Sequence, residues 1–418
     1  MKKPINENYC FTVVKITNII PLDNCDNVVH TSIFGNLVVV SKDTKINDIG
    51  LFIPPETEIM RNFLSANNLY SNTSLNDDPN KFGFFPNSGR VKTLQFRGHK
   101  SQGFFIPLSS LNFLNLPDNE LPQVGDSFDE LNGILLCRKF SPLDFSTIKN
   151  KCVGDKVIPT QFRFHTDTPH LGRNIANLTP DSMISITEKL HGVSGVSSYI
   201  LCNKNLSLFK KILKKLSFNI NDSYYDYIYS SRNQIKNPEL NPIHSQNNIW
   251  ELAHNSLIPF LQKGMTLYYE IVGYLPTGKL IQDKYDYSNS YKQFSIYIYR
   301  ITHTNLDGQV FEFSAKQVQT FCRLHNLNPV PELFYGYAKH FFPFDYHSPD
   351  WNNQFLDYLS SIIESNCEIC TNKVPREGVV IRLEGFNHLV SFKLKNFLFD
   401  KYESSLLDKN YIDLETEN

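Results

Sequence analysis

Along the first 140 or so positions, apolar residues come in short runs at 11–20, 28–33, 37–40, 50–53, 91–96, 103–106 and 133–137. Each run is rich in Val, Ile, Thr or Phe and is bounded by Asn, Asp, Gly or Pro, which predicts strands. Residues 65–80 (SANNLYSNTSLNDDPN) predict a surface loop. Strands with so few helix signals between them predict a small β-barrel or sandwich. Residues 144–177 show no clear period and predict a linker. Beyond it, strand patterns at 183–187, 265–274, 294–301, 378–383 and 389–395 alternate with helical ones. Ser314 would cap a helix carrying Val318, Phe321, Cys322 and Leu324. Ser348-Pro349 opens another, with Trp351, Phe355, Tyr358, Leu359 and Ile362 at helical spacing. Residues 219–249, with many Asn, Ser and Tyr, predict an insertion or long loop. The expected architecture is α+β, a small β domain at 1–158 followed by a mixed α+β domain at 159–418.

Composition narrows the partners. Hydrophobic residues make up 41% and charged residues 20% of the 418, ordinary globular usage. Lys+Arg (41) balance Asp+Glu (42), so any nucleic-acid surface must be a local patch. One such patch is 81–117, where Lys81, Arg90, Lys92, Arg97 and Lys100 are interleaved with Phe and no acid occurs. The eight cysteines form no disulfide framework and suit a reducing, intracellular compartment. The first apolar run is broken at Lys15, too short for a signal peptide. No window approaches about 18 uninterrupted apolar residues, so no membrane span is expected.

The sharpest chemical signal is Glu188-Lys189-Leu190-His191-Gly192, after a strand pattern. A lysine at a strand end, followed by a glycine turn, can be desolvated and surrounded by cations, which lowers its pKa and makes the amine a nucleophile. Tyr269-Glu270-Ile271-Val272-Gly273 and Arg376-Glu377-Gly378-Val379-Val380 each put a carboxylate in or beside a buried-looking strand. Ser391-Phe392-Lys393-Leu394-Lys395 places two lysines on one strand face. Two ammoniums there repel unless an anion lies between them, and a phosphate is the natural one.

In this order, the motifs resemble those of the covalent nucleotidyltransferases: RNA ligases, DNA ligases and mRNA capping enzymes. That series is K-x-[DH]-G, a Glu-Gly strand, an aromatic strand, E-G-[VI]-[VI]-[RK] and K-x-K, and the resemblance covers about 181–396. His191 in place of Asp is similar to an RNA ligase. So is the layout, since 23 residues follow Lys395 (418 less 395) and leave no room for a C-terminal OB domain. The resemblance is to the nick-sealing RNA ligases with an N-terminal OB-like domain. It implies an ATP-dependent ligase that uses Mg²⁺ or Mn²⁺ and joins a 3′-OH to a 5′-phosphate, acting on a nicked duplex with an RNA 3′-OH end, as a monomer. Lys189 would carry AMP, with Glu188 and Leu190 framing the adenine, and His191 would assist AMP transfer. Arg232 would face the nucleotide, Glu270 the ribose or a metal-bound water, and Tyr297 would stack on adenine. Glu377 would hold the metal, while Lys393 and Lys395 clamp the α-phosphate. Arg90, Lys92, Arg97 and Lys100 would contact nucleic acid. Ile298 stands where an Asp is usual and Tyr269 where a Gly is frequent. The rival expectations are a GTP-using capping-type transferase and a non-catalytic nucleic-acid-binding protein with a ligase fold. Cys367-x-x-Cys370 lacks the second pair that a structural zinc normally requires. The lysines at 210, 211, 214 and 215 read as the wet face of an amphipathic element.

Overall fold

Both faces of the first strand are apolar, and the fold uses both. A computed structural model describes residues 2–142, 156–204, 222–236, 248–343 and 345–409. In chain order its N-terminal strands are β1 (Phe11–Lys15), β2 (Val28–Ile33), β3 (Asn36–Ser41), β4 (Ile49–Ile53), β5 (Thr57–Ile59), β6 (Thr93–Phe96), β7 (His99–Gln102), β8 (Phe104–Pro107), β9 (Ser127–Phe128), β10 (Glu130–Leu131), β11 (Ile134–Leu135) and β12 (Cys137–Lys139). An antiparallel sheet in the order β8-β4-β1-β9 lies between two apolar layers. Phe11, Val13, Leu51 and Ile53 enter one layer; Val14 and Phe52 enter the other. The remaining strands form the pairs β2-β3, β6-β7, β10-β11 and β5-β12. Among the described residues no barrel closes. The expected strands are present but pair as an open sheet with satellite hairpins.

The rest of the chain builds two larger sheets from β13 (Met183–Lys189), β14 (Val193–Asn203), β15 (Ser223–Ser231), β16 (Ile235–Lys236), β17 (Met265–Gly273), β18 (Phe294–Thr304), β19 (Val310–Glu312), β20 (Asn328–Pro329), β21 (Glu332–Tyr337), β22 (Gly378–Leu383) and β23 (Val390–Lys395). One sheet has four strands in the order β21-β13-β22-β23. The other has seven, in the order β16-β15-β14-β17-β18-β19 with β20 paired to β18. The Trp351–Ile363 helix covers the first, burying Trp351, Phe355, Leu359 and Ile363 against Ile184, Ile186 and Ile381. Each such side chain removed from water stabilises the fold by roughly 1.5–3 kcal/mol. The Ile249–Leu257 and Ala315–His325 helices cover the second sheet. Ser314 and Gln317 cap the latter reciprocally, Ser314 Oγ accepting the Gln317 N–H and Gln317 Oε1 the Ser314 N–H. The fold is thus α+β.

Three expectations are corrected. The described part of the expected linker is not loose: Val157, Phe162 and Leu171 are buried, and Leu171–Asn174 is helical. Residues 223–231 are not loop but the nine-residue strand β15, paired along its length with β14. The alternating tyrosines of Ser223-Tyr-Tyr-Asp-Tyr-Ile-Tyr were a strand signal that the surrounding Asn and Ser masked. Leu324 and Ile362 point to solvent, at 73% and 39% exposure, because Cys322 and Ile363 occupy the inward positions of those helices. The lysine cluster at 210–215 lies outside the described residues. No described helix is long and apolar enough to cross a membrane.

Candidate active site

Lys189 is the last residue of β13, where the chain leaves the four-stranded sheet and turns through Leu190-His191-Gly192 into β14 of the seven-stranded one. Register then aligns the other motifs with it. β22 lies between β13 and β23, and Gly378 faces Lys189 on one side and Lys395 on the other. Two residues further on, Val380 lies between Thr187 and Lys393. Gly378 has φ +152°, and a Cβ there would lie 2.1 Å from the Leu394 carbonyl oxygen, so the close approach requires glycine.

Lys189 Nζ donates to Glu377 Oε1 at 2.6 Å. The Glu377 side chain is 6% exposed, and its Oε2 is buried without a hydrogen-bond partner among the described residues. Burial works to depress the Lys189 ammonium, but Glu377 and Glu270 outweigh it and hold its pKa above the ordinary value. The expected depressed amine is therefore corrected. In this state Lys189 is charged and paired.

The two lysines of β23 differ. Lys395 Nζ pairs with Glu403 Oε2 at 2.6 Å and lies 3.8 Å from Asp400 Oδ1. Burial opposes its charge, yet Glu403 and Asp400 hold its pKa well above the ordinary value. The acids divide accordingly: burial pushes Asp400 up to about 7, whereas Lys395 overcomes burial at Glu403 and holds it at about 2. Lys393 has no carboxylate partner among the described residues. Burial, then Lys395, Lys189, Arg232 and Lys139, push its pKa well below the ordinary value. It is the cation in this cluster most in need of an anion.

Glu270, in β17, accepts the Gly192 N–H at 3.1 Å and the Ser194 hydroxyl at 3.2 Å, so it braces the turn after Lys189. Tyr297 is its cross-strand neighbour on β18 and packs into the apolar cluster of Leu190, Val272, Cys367 and Cys370. Glu188 is buried and ion-paired with Arg376, 2.9 Å from its Nη2; burial pushes its pKa up to about 7 despite that guanidinium. The His191 ring stands edge-on to Tyr285 and Phe399 at 4.9 and 4.8 Å, and its backbone N–H donates to the Tyr287 hydroxyl at 2.6 Å. Burial lowers the His191 pKa, so the ring is neutral near pH 7. Arg232, beyond the end of β15, is ion-paired with Asp167. Tyr269 is fully buried, bonding Ser197 through its hydroxyl on the face away from the site, and Gly195 opposite leaves room for its ring.

Sequence reasoning missed several groups here. Asp167 comes from the expected linker, which also runs along β23: the Lys393 N–H donates to the Pro169 carbonyl at 2.8 Å. Phe399, Asp400 and Glu403 come from the Phe397–Asp408 helix. An Asp and a Glu three residues apart at helical spacing just after K-x-K were the available signal.

In the expected nucleic-acid patch three of the four cations meet acids. Arg90 is 3% exposed, bonds Glu56 through Nε and Nη2 at 2.6 and 2.9 Å, and reaches Asp408 through Nη1 at 3.0 Å. Lys92 pairs with Asp408 at 2.7 Å, and Lys100 with Glu364. Only the Arg97 guanidinium, of the four, has no carboxylate partner among the described residues; it donates to the Asn24 carbonyl at 3.2 Å. The stretch is acid-free in sequence, but the fold brings acids to it from elsewhere.

The sequence pattern of the RNA ligases, which belong to the covalent nucleotidyltransferases, matches residues 183–395, a span that includes the strand-end lysine, the buried carboxylate and the lysine pair. The chain belongs to the RNA ligase family. Among curated proteins no sequence matches. Solved structures of Naegleria gruberi RNA ligase share the fold. A glutamate-to-alanine variant with AMP and Mn superposes with a TM-score of 0.62 at 18% identity, covering 95% of this chain and 99% of that one. A lysine-to-alanine variant with ATP and Mn gives 0.61 at 18% identity, covering 94% and 98%.

Proposed function

We propose that this chain is an ATP-dependent RNA ligase that joins 3′-OH and 5′-phosphate ends through a lysyl-AMP on Lys189. The observation that carries the reading is the row Lys189, Gly378, Lys395 across three strands, with Glu377 on the Lys189 ammonium and Lys393, which has no carboxylate partner among the described residues, beside it. In this proposal Lys189, once deprotonated, attacks the α-phosphorus of ATP and expels pyrophosphate. AMP then passes to a polynucleotide 5′-phosphate, and a 3′-hydroxyl displaces it. Lys393 and Lys395 neutralise the phosphate in the first step. Leu190, Glu188 and Tyr297 border the base, Glu270 the ribose side, and Arg232 the phosphates. His191, a neutral ring held by two aromatics, assists the transfer to the 5′-phosphate.

Glu377 Oε2, buried and without a partner among the described residues, fits a divalent cation. No group of three His, Cys, Asp or Glu side chains converges as a metal site among the described residues, so phosphate oxygens and water would complete the shell, as suits Mg²⁺ or Mn²⁺. Such an ion supplies charge neutralisation at the reacting phosphate. Glu270 stands near enough to act on Lys189 electrostatically and would take part through water.

The division into 1–158 and 159–418, the OB-like character of the first part and a preference for nicked duplex belong to this proposal. They rest on the order of elements and on the exposed Arg97. The test is incubation with α-labelled ATP or GTP and Mg²⁺, followed by a denaturing gel. Label from ATP on Lys189 supports the reading; label from GTP alone would make the chain a capping-type transferase, and none at all a non-catalytic relative.

A further inference from the structure

The Phe397–Asp408 helix begins two residues after Lys395, and its start is pinned. Asn396 caps it by accepting the Leu398 N–H at 2.8 Å, and the same amide donates to the Ile363 and Ser365 carbonyls. Positions four apart share a helix face, and here two faces do different work. Phe399 and Glu403 face the catalytic strands, one against the His191 ring and the other on the Lys395 ammonium. Asp400, Ser404 and Asp408 face the N-terminal strands. Ser404 Oγ donates to Glu56, the Ser404 carbonyl and Asp408 accept from Arg90, and Asp400 accepts from Gln102. Tyr402 adds a third anchor through its hydroxyl on Asp283.

We infer that Glu403 is a positioning residue for adenylation, aiming the Lys395 ammonium at the α-phosphate from a helix whose seat is set by the N-terminal strands. The inference rests on the reading of Lys189 as the adenylated nucleophile. The charges facing this point make the case. Lys189 has Glu377, Arg232 has Asp167, and Lys395 has Glu403 at contact distance with Asp400 a further ångström or so away. An ammonium has three N–H donors, so Lys395 can keep Glu403 and still donate to a phosphate. Without that carboxylate, repulsion from Lys393 and attraction to Asp400 would draw Lys395 off the line of Lys189 and Gly378. Misplacing one contact by about 1 Å costs up to about 100-fold in rate. ATP would still be bound by the remaining cations, so the loss falls on the chemical step.

The test is single-turnover labelling of the full chain at a series of ATP concentrations, with a thermal melt of each protein. Glu403→Gln should lower the saturating rate of Lys189 adduct formation at least about tenfold, while the half-saturating ATP concentration moves less than about threefold. Glu403→Asp keeps the charge but shortens the reach, and should recover part of the rate; it also carries the test if the Gln variant does not fold. A saturating rate within about twofold of wild type in both variants would overturn the inference. So would a loss confined to ATP affinity, or one matching the fraction of unfolded protein. If wild type itself forms no Lys189 adduct, the ligase reading falls and this inference with it; a labelled wild type beside unaffected variants sinks the positioning role alone.

Discussion

Lys189 and Glu377 are 188 positions apart, yet Nζ of one lies 2.6 Å from Oε1 of the other. The pairing follows from register, since Glu377 immediately precedes the glycine that faces Lys189 across the β13–β22 ladder. It also makes the resting site self-neutralised. Lys189 is charged, and among the described residues its carboxylate partner lacks a hydrogen bond on one oxygen only, so in the proposed reaction a phosphate and its cation would replace that contact before the amine acts.

Lys189→Ala should abolish the labelled adduct; because it also leaves the buried Glu377 carboxylate without its ammonium, the variant should melt at a lower temperature, and the label must be lost from protein that is still folded. Mass spectrometry of the labelled wild-type peptide locates the adduct. Labelling that persists in the variant would sink the assignment.

Lys393→Ala and Lys395→Ala should each reduce adduct formation by about 100-fold or more, since each removes a charge at the reacting phosphate. Glu377→Ala should do likewise, and raising Mn²⁺ should recover little of it. Wild-type yields would reduce β23 to a solvated edge.

His191→Ala separates the steps. Its ring stands edge-on to Tyr285 and Phe399. Adduct formation should fall less than sealing of a 5′-phosphorylated nick by pre-labelled enzyme. Equal loss in the two assays would remove the second-step role.

Arg90→Ala should destabilise the fold by about 3–5 kcal/mol, because it removes a buried guanidinium that holds both the half-buried Glu56 and Asp408. Arg97→Ala should leave the melting curve unchanged and instead flatten the salt dependence of duplex binding by up to about one unit of log–log slope. A stable Arg90 variant with a reduced slope would restore Arg90 as a nucleic-acid contact.

Stability should fall on acidification through two histidines. Burial, aided by Arg300 at His165 and Arg173 at His170, lowers both to about 3. The unfolded chain, with histidines near 6.5, therefore binds up to two more protons between those values, so stability present above pH 6.5 is lost progressively as pH drops toward 3. Melting points at pH 7, 6, 5 and 4 should show this decline, and His165→Gln with His170→Gln should flatten it. An unchanged slope in the double variant would assign the decline to carboxylates.

The strands at 183–189, 265–273, 294–304, 378–383 and 390–395 and the helices at 315–325 and 351–363 were legible because each is written locally, whereas β14, β15 and the Phe397–Asp408 helix were not read. Ser314 and Gln317 cap a helix within one turn, and the Val/Ile-rich run at 378–383 reads as a strand wherever it lies. The motifs Lys189, Glu377 and Lys393-x-Lys395 were legible for the same reason: residue type and strand position are properties of a few neighbouring residues. What the chain could not display locally is which distant charge meets which. The basic stretch 81–100 looks like an open patch until Glu56, Asp408 and Glu364 are folded onto it. Lys395 looks like a bare phosphate clamp until the Phe397–Asp408 helix turns Glu403 back against it. Those pairings depend on helix direction and sheet register, and the free energy of an ion pair is settled by burial and distance, which only the assembled tertiary structure defines.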